Sequence, residues 1–163
     1  MNNWILIISL SFIAGLGFSF IFQVEKRHLF LAAVCSSTSW TLFQFLMSIG
    51  INSVFSTLIS GLVIGFMTEI FAKIKKCPAI NYIIIGIIPL VPGLKVYQGM
   101  LKLIEGNIFP GVSLLLEAAF IAIAIGVSIL VSTSVARVIR LRKQKRIIKY
   151  KIEHYTSSTI LAA

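Results

Sequence analysis

Residues 110–136 read PGVSLLLEAAFIAIAIGVSILVSTSVA, and the only charged side chain in this stretch is Glu117. At ~1.5 Å per helical residue, the stretch is long enough to cross the ~30 Å hydrocarbon core of a bilayer. The whole chain has the same character, because 58% of its 163 residues are apolar, 12% are charged and the mean hydropathy is +0.98. A soluble domain of this size has too little interior to bury so much apolar surface. The chain is therefore predicted to be an integral membrane protein.

Four more apolar segments precede this one along the chain. Together they predict an all-α, polytopic membrane helix bundle of about five transmembrane helices within residues 1–136, the other four segments being 4–22, 29–49, 54–71 and 79–104. Residues 137–163 carry eight Lys or Arg and one Glu. This second region is predicted to be a basic cytoplasmic tail that lies on anionic lipid.

The charges in the loops predict which way the helices run. Lys26 and Arg27 follow the first segment and three Lys lie in residues 73–78, whereas the 50–53 turn is uncharged. With five helices, an amino terminus outside places both of these loops and the tail in the cytoplasm, as the positive-inside rule requires. Lys95 and Lys102 sit near the outer end of a helix, where a lysine can reach the headgroups.

The basic composition has a membrane explanation. The net charge of +10 comes mostly from the tail, so no nucleic-acid partner is predicted. The chain has no P-loop and no G-x-S-x-G, H-E-x-x-H or C-x-x-C motif, and Cys35 and Cys77 form no metal-binding spacing. Neither an enzymatic activity nor a metal or other cofactor is predicted.

The fourth segment contains two prolines and a glycine within five residues, at Pro89, Pro92 and Gly93. Each proline removes a backbone N–H and clashes with the carbonyl four residues before it. We therefore predict that the fourth helix is broken between Pro89 and Gly93. In a bilayer the freed carbonyls must be satisfied by protein or by water in a cavity.

Broken helices beside aqueous cavities are a common way for transporters to build substrate sites. Here the second half-helix is expected to start at Pro92, leaving the N–H groups of Leu94, Lys95 and Val96 open to a carboxylate. Lys95 adds a positive charge and Tyr97 a hydroxyl. The predicted substrate-binding residues are therefore Pro89, Pro92, Gly93, Lys95 and Tyr97. The alternative interpretation is a kink that only shapes the packing.

Glu117 is the second functional candidate, because a carboxylate within a transmembrane segment is costly and marks a functional site by default. It is predicted to carry a coupling proton. The alternative is a structural pair with Lys95 or Lys102 near the outer interface. An intramembrane enzyme would need more ionisable groups than Glu117 and Glu69 supply.

The remaining polar residues have simpler interpretations. Glu69 is expected to pair with Lys73 one helical turn later. His28 and His154 are expected to be solvated residues at the cytoplasmic boundary. Small residues recur every four positions on several helix faces, where they let helices approach closely; the faces are Gly61/Gly65, Ala118/Ala122/Gly126 and Ala124/Ser128/Ser132, with polar stripes at Ser37/Thr41/Gln44/Ser48 and Thr57/Ser60/Thr68.

Three stretches resemble one known family. They read FAKIKKCPA at residues 71–79, GIIPLVPG at residues 86–93 and YQGM at residues 97–100. A basic turn ending in Pro-Ala, a helix with Pro-Leu-Val-Pro-Gly and a following Tyr and Gly-Met are similar to the membrane-only small subunit of the threonine/serine exporter family. The resemblance covers about residues 69–137.

The resemblance implies a multi-pass protein of the bacterial plasma (inner) membrane. It also implies a partner, namely the large subunit of the same exporter family. The implied function is one half of a two-component secondary exporter for small carboxylated metabolites, either threonine and serine or a dicarboxylate such as succinate. The alternative is a scaffold or regulatory membrane subunit that does not transport but stabilises a separate carrier.

Reporter fusions test the predicted orientation. A reporter fused after Ile152 should behave as cytoplasmic, and one inserted in the 50–53 turn should behave as external, because the positive segments stay on the cytoplasmic side. A cytoplasmic signal from the 50–53 insertion would contradict the predicted topology.

Overall fold

The computed structural model describes the backbone of residues 4–161 and the side chains of residues 4–139. Within this part the chain is helical and contains no strand. Five segments are long and apolar enough to cross a membrane, which confirms the predicted all-α bundle. The helices are α1 (Trp4–Ile21), α2 (Leu29–Ser48), α3 (Ser53–Lys75), α4 (Ile80–Ile87), α5 (Gly93–Ile104) and α6 (Ile108–Leu161).

The turns between the helices are short, and local side-chain and backbone chemistry sets their ends. The Asn52 side chain accepts a 3.3 Å hydrogen bond from the N–H of Val54 and so caps the start of α3. Lys76 ends α3 in the left-handed conformation, with φ of 53°. Gly50 and Gly106 have positive φ in the two turns at the other end of the bundle.

The last helix runs on from the predicted fifth span into the tail. The predicted segment ended at Ala136, but α6 continues to Leu161 without a break. Its candidate membrane-spanning part is Ile108–Ile139. The division into a membrane domain at residues 1–136 and a tail at residues 137–163 stays a prediction. His154 and the other tail side chains from residue 140 lie outside the described side chains.

Helix α2 packs against α1, α3 and α4, whereas α3 packs against α6, and α6 packs against α5. The two halves of the fourth span therefore pack against different neighbours: α4 chiefly against α2 and α3, and α5 chiefly against α6. We call the end of the bundle with loops 22–28 and 76–79 the basic end, and the end with turns 49–52 and 105–107 the opposite end.

Small residues hold α3 and α6 together along one seam. A Cβ added to Gly61 would lie 2.9 Å from the Cβ of Ser128, and one added to Gly65 would lie 2.5 Å from the Cβ of Ser132. Because residue numbers rise together on both sides, the two helices run parallel. We call these four residues the α3–α6 zipper. The predicted Gly61/Gly65 and Ser128/Ser132 faces thus pack against each other within this chain.

The third predicted small face behaves differently. Ala118 is buried, but Ala122 and Gly126 are exposed on α6, and no atom lies within 4 Å of a Cβ placed on Gly126. The face on which these two residues lie therefore points away from the other helices of this chain.

Several hydroxyls of the polar stripes bond to helix carbonyls, whereas those of Thr41 and Ser60 are buried without a hydrogen-bond partner among the described residues. On α3, the hydroxyls of Thr57 and Thr68 donate to the carbonyls of Ser53 and Gly65 at 2.8 and 2.9 Å. On α2, the hydroxyl of Ser37 donates to the carbonyl of Ile8 on α1 at 3.1 Å. Such bonds attach one helix to the next where lipid supplies no hydrophobic drive.

The expectation that His28 is solvated is wrong. His28 lies in a 3₁₀ turn (Lys26–His28), is 3% exposed, and its Nδ1 lies 2.7 Å from the Tyr82 hydroxyl on α4. The short loop after α1 folds this turn back against the bundle. Tyr82 is fully buried among α2, α3 and α4 and needs a hydrogen-bond partner there, which His28 supplies.

Widening the α3–α6 zipper should destabilise the bundle. We expect Gly65→Ala to lower the free energy of unfolding by about 1–3 kcal/mol, because overpacking forces α3 away from Ser132. Gly126→Ala is the matched control, since the added methyl meets no neighbour. Unfolding in detergent by urea or heat measures both. Equal stability of the two variants would contradict the close approach.

Candidate functional site

The fourth span is broken between Pro89 and Gly93, as the sequence predicts. Helix α4 ends at Ile87, a 3₁₀ turn covers Ile88–Leu90, and Val91 is extended with ψ of 128°. Pro92 then precedes α5, which begins at Gly93. The prediction of a broken fourth helix is confirmed.

The start of α5 has fewer open donors than expected. The N–H of Val96 donates to the carbonyl of Pro92 at 3.0 Å, so the prediction that it is open is wrong. The N–H of Gly93 donates to the carbonyl of Val91 at 2.8 Å. Within the described backbone this leaves the N–H groups of Leu94 and Lys95 as the unpaired donors of the first turn. They lie at the surface of the chain, where Leu94 is 69% exposed.

Lys95, Glu117 and Ser53 form the main polar cluster, which we call the outer cluster. The Lys95 ammonium hydrogen-bonds to Oε1 of Glu117 and donates to the Ser53 hydroxyl at 3.1 Å. The Ser53 hydroxyl in turn donates to the same Glu117 oxygen. Three helices therefore contribute: Lys95 from α5, Glu117 from α6 and Ser53 from the first residue of α3.

The outer cluster is half-buried and lies level with the start of α3, although Glu117 is well inside α6. The side chains of Lys95 and Glu117 are 28% and 37% exposed. Glu117 is nine residues after Ile108, which is about 14 Å along α6. The pairing of Glu117 with Lys95 is the structural alternative that the sequence left open. A charged pair at this depth is costly unless each charge has its partner.

A second ion pair, at the carboxyl end of α5, is more exposed than the pair in the outer cluster. Lys102 donates to Glu105 at 2.8 Å, where both side chains are exposed at the opposite end of the bundle. This hydrogen bond holds the pKa of Glu105 below its usual range. Such exposed pairs contribute little to stability.

The other predicted substrate residues lie apart from the outer cluster. Pro89 lines a groove of about 360 Å³ with α1 and α2 residues, including Leu10, Phe18 and Trp40. No atom lies within 4 Å of a Cβ placed on Gly93, and Tyr97 is 63% exposed on α5. Of the six predicted site residues, Lys95 and Glu117 are the two joined by a side-chain hydrogen bond. The substrate-binding role of Pro89, Pro92, Gly93 and Tyr97 stays a prediction.

Two polar contacts do not follow from the sequence pattern. The sequence places Ser53 in the turn before the third segment, and its closeness to Glu117 depends on the parallel packing of α3 and α6. The contact between His28 and Tyr82 depends on how the first loop folds back. Only the type of residue, a serine next to a helix cap and a tyrosine in an apolar run, hinted at either.

Five apolar spans, one of them broken inside the membrane region next to a half-buried ion pair, define a multi-pass α-helical membrane protein with features of a transporter. The family model described as Threonine/Serine exporter, ThrE, matches residues 7–135. The chain therefore belongs to the threonine/serine exporter family. Searches of curated proteins and of solved structures find no match. The family match confirms the resemblance seen in residues 71–100 and extends it to the first two spans.

Membership identifies the chain as a protein of a membrane exporter family for threonine and serine. It also supports transport rather than catalysis as the activity. Among the described residues, no group of three or more His, Cys, Asp or Glu side chains is placed to hold a metal ion.

A double-mutant cycle measures how strongly Lys95 and Glu117 are coupled in stabilising the protein. Lys95→Met should destabilise the chain by about 1–3 kcal/mol, because it leaves the Glu117 carboxylate without its cation. Adding Glu117→Gln should restore most of the loss. Lys102→Met, which breaks the exposed pair, is the control and should change stability little. If both single variants at positions 95 and 102 behave alike, the outer cluster is not a coupled unit.

Proposed function

We propose that the chain is the membrane-only small subunit of a two-component secondary exporter in a bacterial plasma (inner) membrane. In this proposal the amino terminus and the opposite end face outward, and the basic end faces the cytoplasm. The loop charges support this orientation, since Lys26, Arg27 and the lysines of residues 73–78 lie at the basic end.

The observation that carries the proposal is the outer cluster beside the start of α5. Lys95 is the only cation in the cluster, and the unpaired N–H groups of Leu94 and Lys95 lie on the same first turn. A substrate carboxylate would take the place of Glu117 at Lys95 and gain the positive end of the α5 dipole. Glu117, released from Lys95, would then be able to take up the substrate ammonium or a coupling proton.

This exchange favours threonine and serine over a dicarboxylate such as succinate at the outer cluster. An amino-acid zwitterion offers a carboxylate to Lys95 and an ammonium to Glu117, so both charges keep a partner. A dicarboxylate would place a second negative charge near Glu117, which like-charge repulsion disfavours. A dicarboxylate substrate therefore requires that Glu117 be protonated.

A large subunit is expected to complete the site. The first turn of α5 and Tyr97 lie at the surface of this chain, and α5 packs chiefly against α6. In carriers built from two halves of opposite orientation, the substrate site lies between the halves near the midplane. The exposed face of α5 is where the second half would meet the outer cluster.

One observation favours the scaffold alternative. The break moves the fourth span from α2 and α3 to α6, so it has an architectural role even without a substrate. The outer cluster would then be an internal tie between α3, α5 and α6. If the charges of the outer cluster are removed and the protein still folds, the transport proposal expects export to fall, whereas the scaffold alternative expects normal export.

Export assays distinguish the transport proposal from the scaffold alternative. Lys95→Met and Glu117→Gln, each expressed with the large subunit in cells lacking both genes, should lower threonine export about tenfold or more, since each removes a charge-assisted contact. Lys102→Met should export like the unchanged chain. Protein level in the membrane is measured in each case.

Normal export by both outer-cluster variants would favour the scaffold. Normal export by the unchanged chain without the large subunit would remove the two-component part of the proposal.

A further inference from the structure

A cavity of about 320 Å³ lies at the basic end, between α3, α4 and α6. It has two charged residues of opposite sign, one hydroxyl and an apolar wall, and the lining consists of Glu69, Ala79, Ile80, Ile83, Thr133 and Arg137. Its volume is at the lower end of the range for ligand sites, which suits a small molecule. Neither the outer cluster nor the break in the fourth span contributes to it. We call it the inner cavity.

Glu69 brings a buried negative charge to this cavity. It lies within α3 and is only 8% exposed. It already has a polar or electrostatic partner in the chain, so a ligand would share or replace that contact. A carboxylate is costly at such a site, and a carboxylate that lines a cavity in a transmembrane bundle is a candidate for cation binding.

Arg137 brings the matching positive charge. It follows Thr133 by one helical turn, so both residues lie on the same face of α6. The hydroxyl of Thr133 donates to the carbonyl of Ile129 at 2.8 Å, which leaves its oxygen as an acceptor toward the cavity. Arg137 is exposed and lines the cavity, and its guanidinium can form a two-point contact with an incoming carboxylate.

We propose that the inner cavity binds a small zwitterionic α-amino acid, with its ammonium at Glu69 and its carboxylate at Arg137. Ile80, Ile83 and Ala79 form the wall for its short side chain. Opposite charges in one cavity match a zwitterion and disfavour a dicarboxylate, which would bring a second negative charge to Glu69. In the proposed orientation this is a cytoplasmic loading site, and in that respect it rests on the proposed function.

The inner cavity and the outer cluster are separate sites. They lie at opposite ends of the seam between α3 and α6, and the α3–α6 zipper closes the seam between them. An amino acid bound in the inner cavity therefore has no route along this seam to Lys95. Binding at the inner cavity is measurable whether or not the outer cluster transports.

Cysteine protection tests the proposal on the full chain in everted membrane vesicles. Thr133→Cys, made in a Cys77→Ser chain, places a nearly isosteric thiol in the inner cavity. Cytoplasmic-side L-threonine should slow its labelling by a maleimide about threefold when present at twice its dissociation constant. Succinate should not slow it. The control is a separate chain that keeps both Thr133 and Cys77: its Cys77, which lies in the neighbouring cleft with Lys73 and Lys76, should be labelled at the same rate with and without threonine.

Further variants, made in the same Thr133→Cys chain, test whether Glu69 and Arg137 bind the amino acid. Glu69→Gln and Arg137→Gln should each weaken the protection about tenfold or more in threonine concentration, because each removes one charged contact. Glu69→Asp should retain part of the protection by threonine, because it keeps the carboxylate. Lys95→Met, which removes the outer cluster, should leave the protection unchanged, so failure of export and failure of the inner cavity can be told apart.

Three results would overturn the inner site: a Thr133→Cys thiol that does not react from the cytoplasmic side, one that threonine does not protect, or protection that survives Glu69→Gln unchanged. Protection of Cys77 instead of Thr133→Cys would place the amino acid in the basic cleft and would equally refute the proposal.

Discussion

The close approach of α3 and α6 is the constraint on which the polar architecture depends. Gly61 and Gly65 leave room for Ser128 and Ser132, and the two helices run parallel in a fixed register. That register places Ser53 beside Glu117 at one end of the seam and Glu69 beside the Thr133 face of α6 at the other. A shift by one residue would turn every one of these side chains by about 100° around its helix.

The broken fourth span connects this seam to the rest of the bundle. Its first half completes the apolar core with α2 and α3, where Gly86 leaves room for Ile64 and Cys35. Its second half crosses α6 closely at Gly99 and Gly111 and brings Lys95 to Glu117. An unbroken helix could not pack against both sets of neighbours, so the break positions the only cation of the outer cluster.

The elements of the fold followed from the sequence because they depend on local chemistry. Hydropathy gives the five spans, and Pro89 and Pro92 give the break, since a missing N–H acts wherever the helix packs. The site was only partly predictable. Lys95 and Glu117 were recognised as charges that need an explanation, but Ser53, His28 and Glu69 acquire their surroundings from helix register and loop path, which composition and spacing do not encode. The orientation in the membrane stays a prediction from loop charge.

The way the charges are distributed limits where a substrate path can run. Within the described side chains, the seam between α3 and α6 is charged near both ends and closed in its middle by the zipper, and the hydroxyls of Thr57, Thr68, Ser128 and Ser132 bond to helix carbonyls. A hydrated solute cannot pass between helices packed this closely, because interiors at this density have no room for it. The open donors of Leu94 and Lys95, by contrast, face outward from α5. If the chain transports through the outer cluster, as proposed, the path runs along the outside of α5 rather than along this seam and needs a second protein surface to shield it from lipid. In the proposed two-component carrier the large subunit would supply that surface.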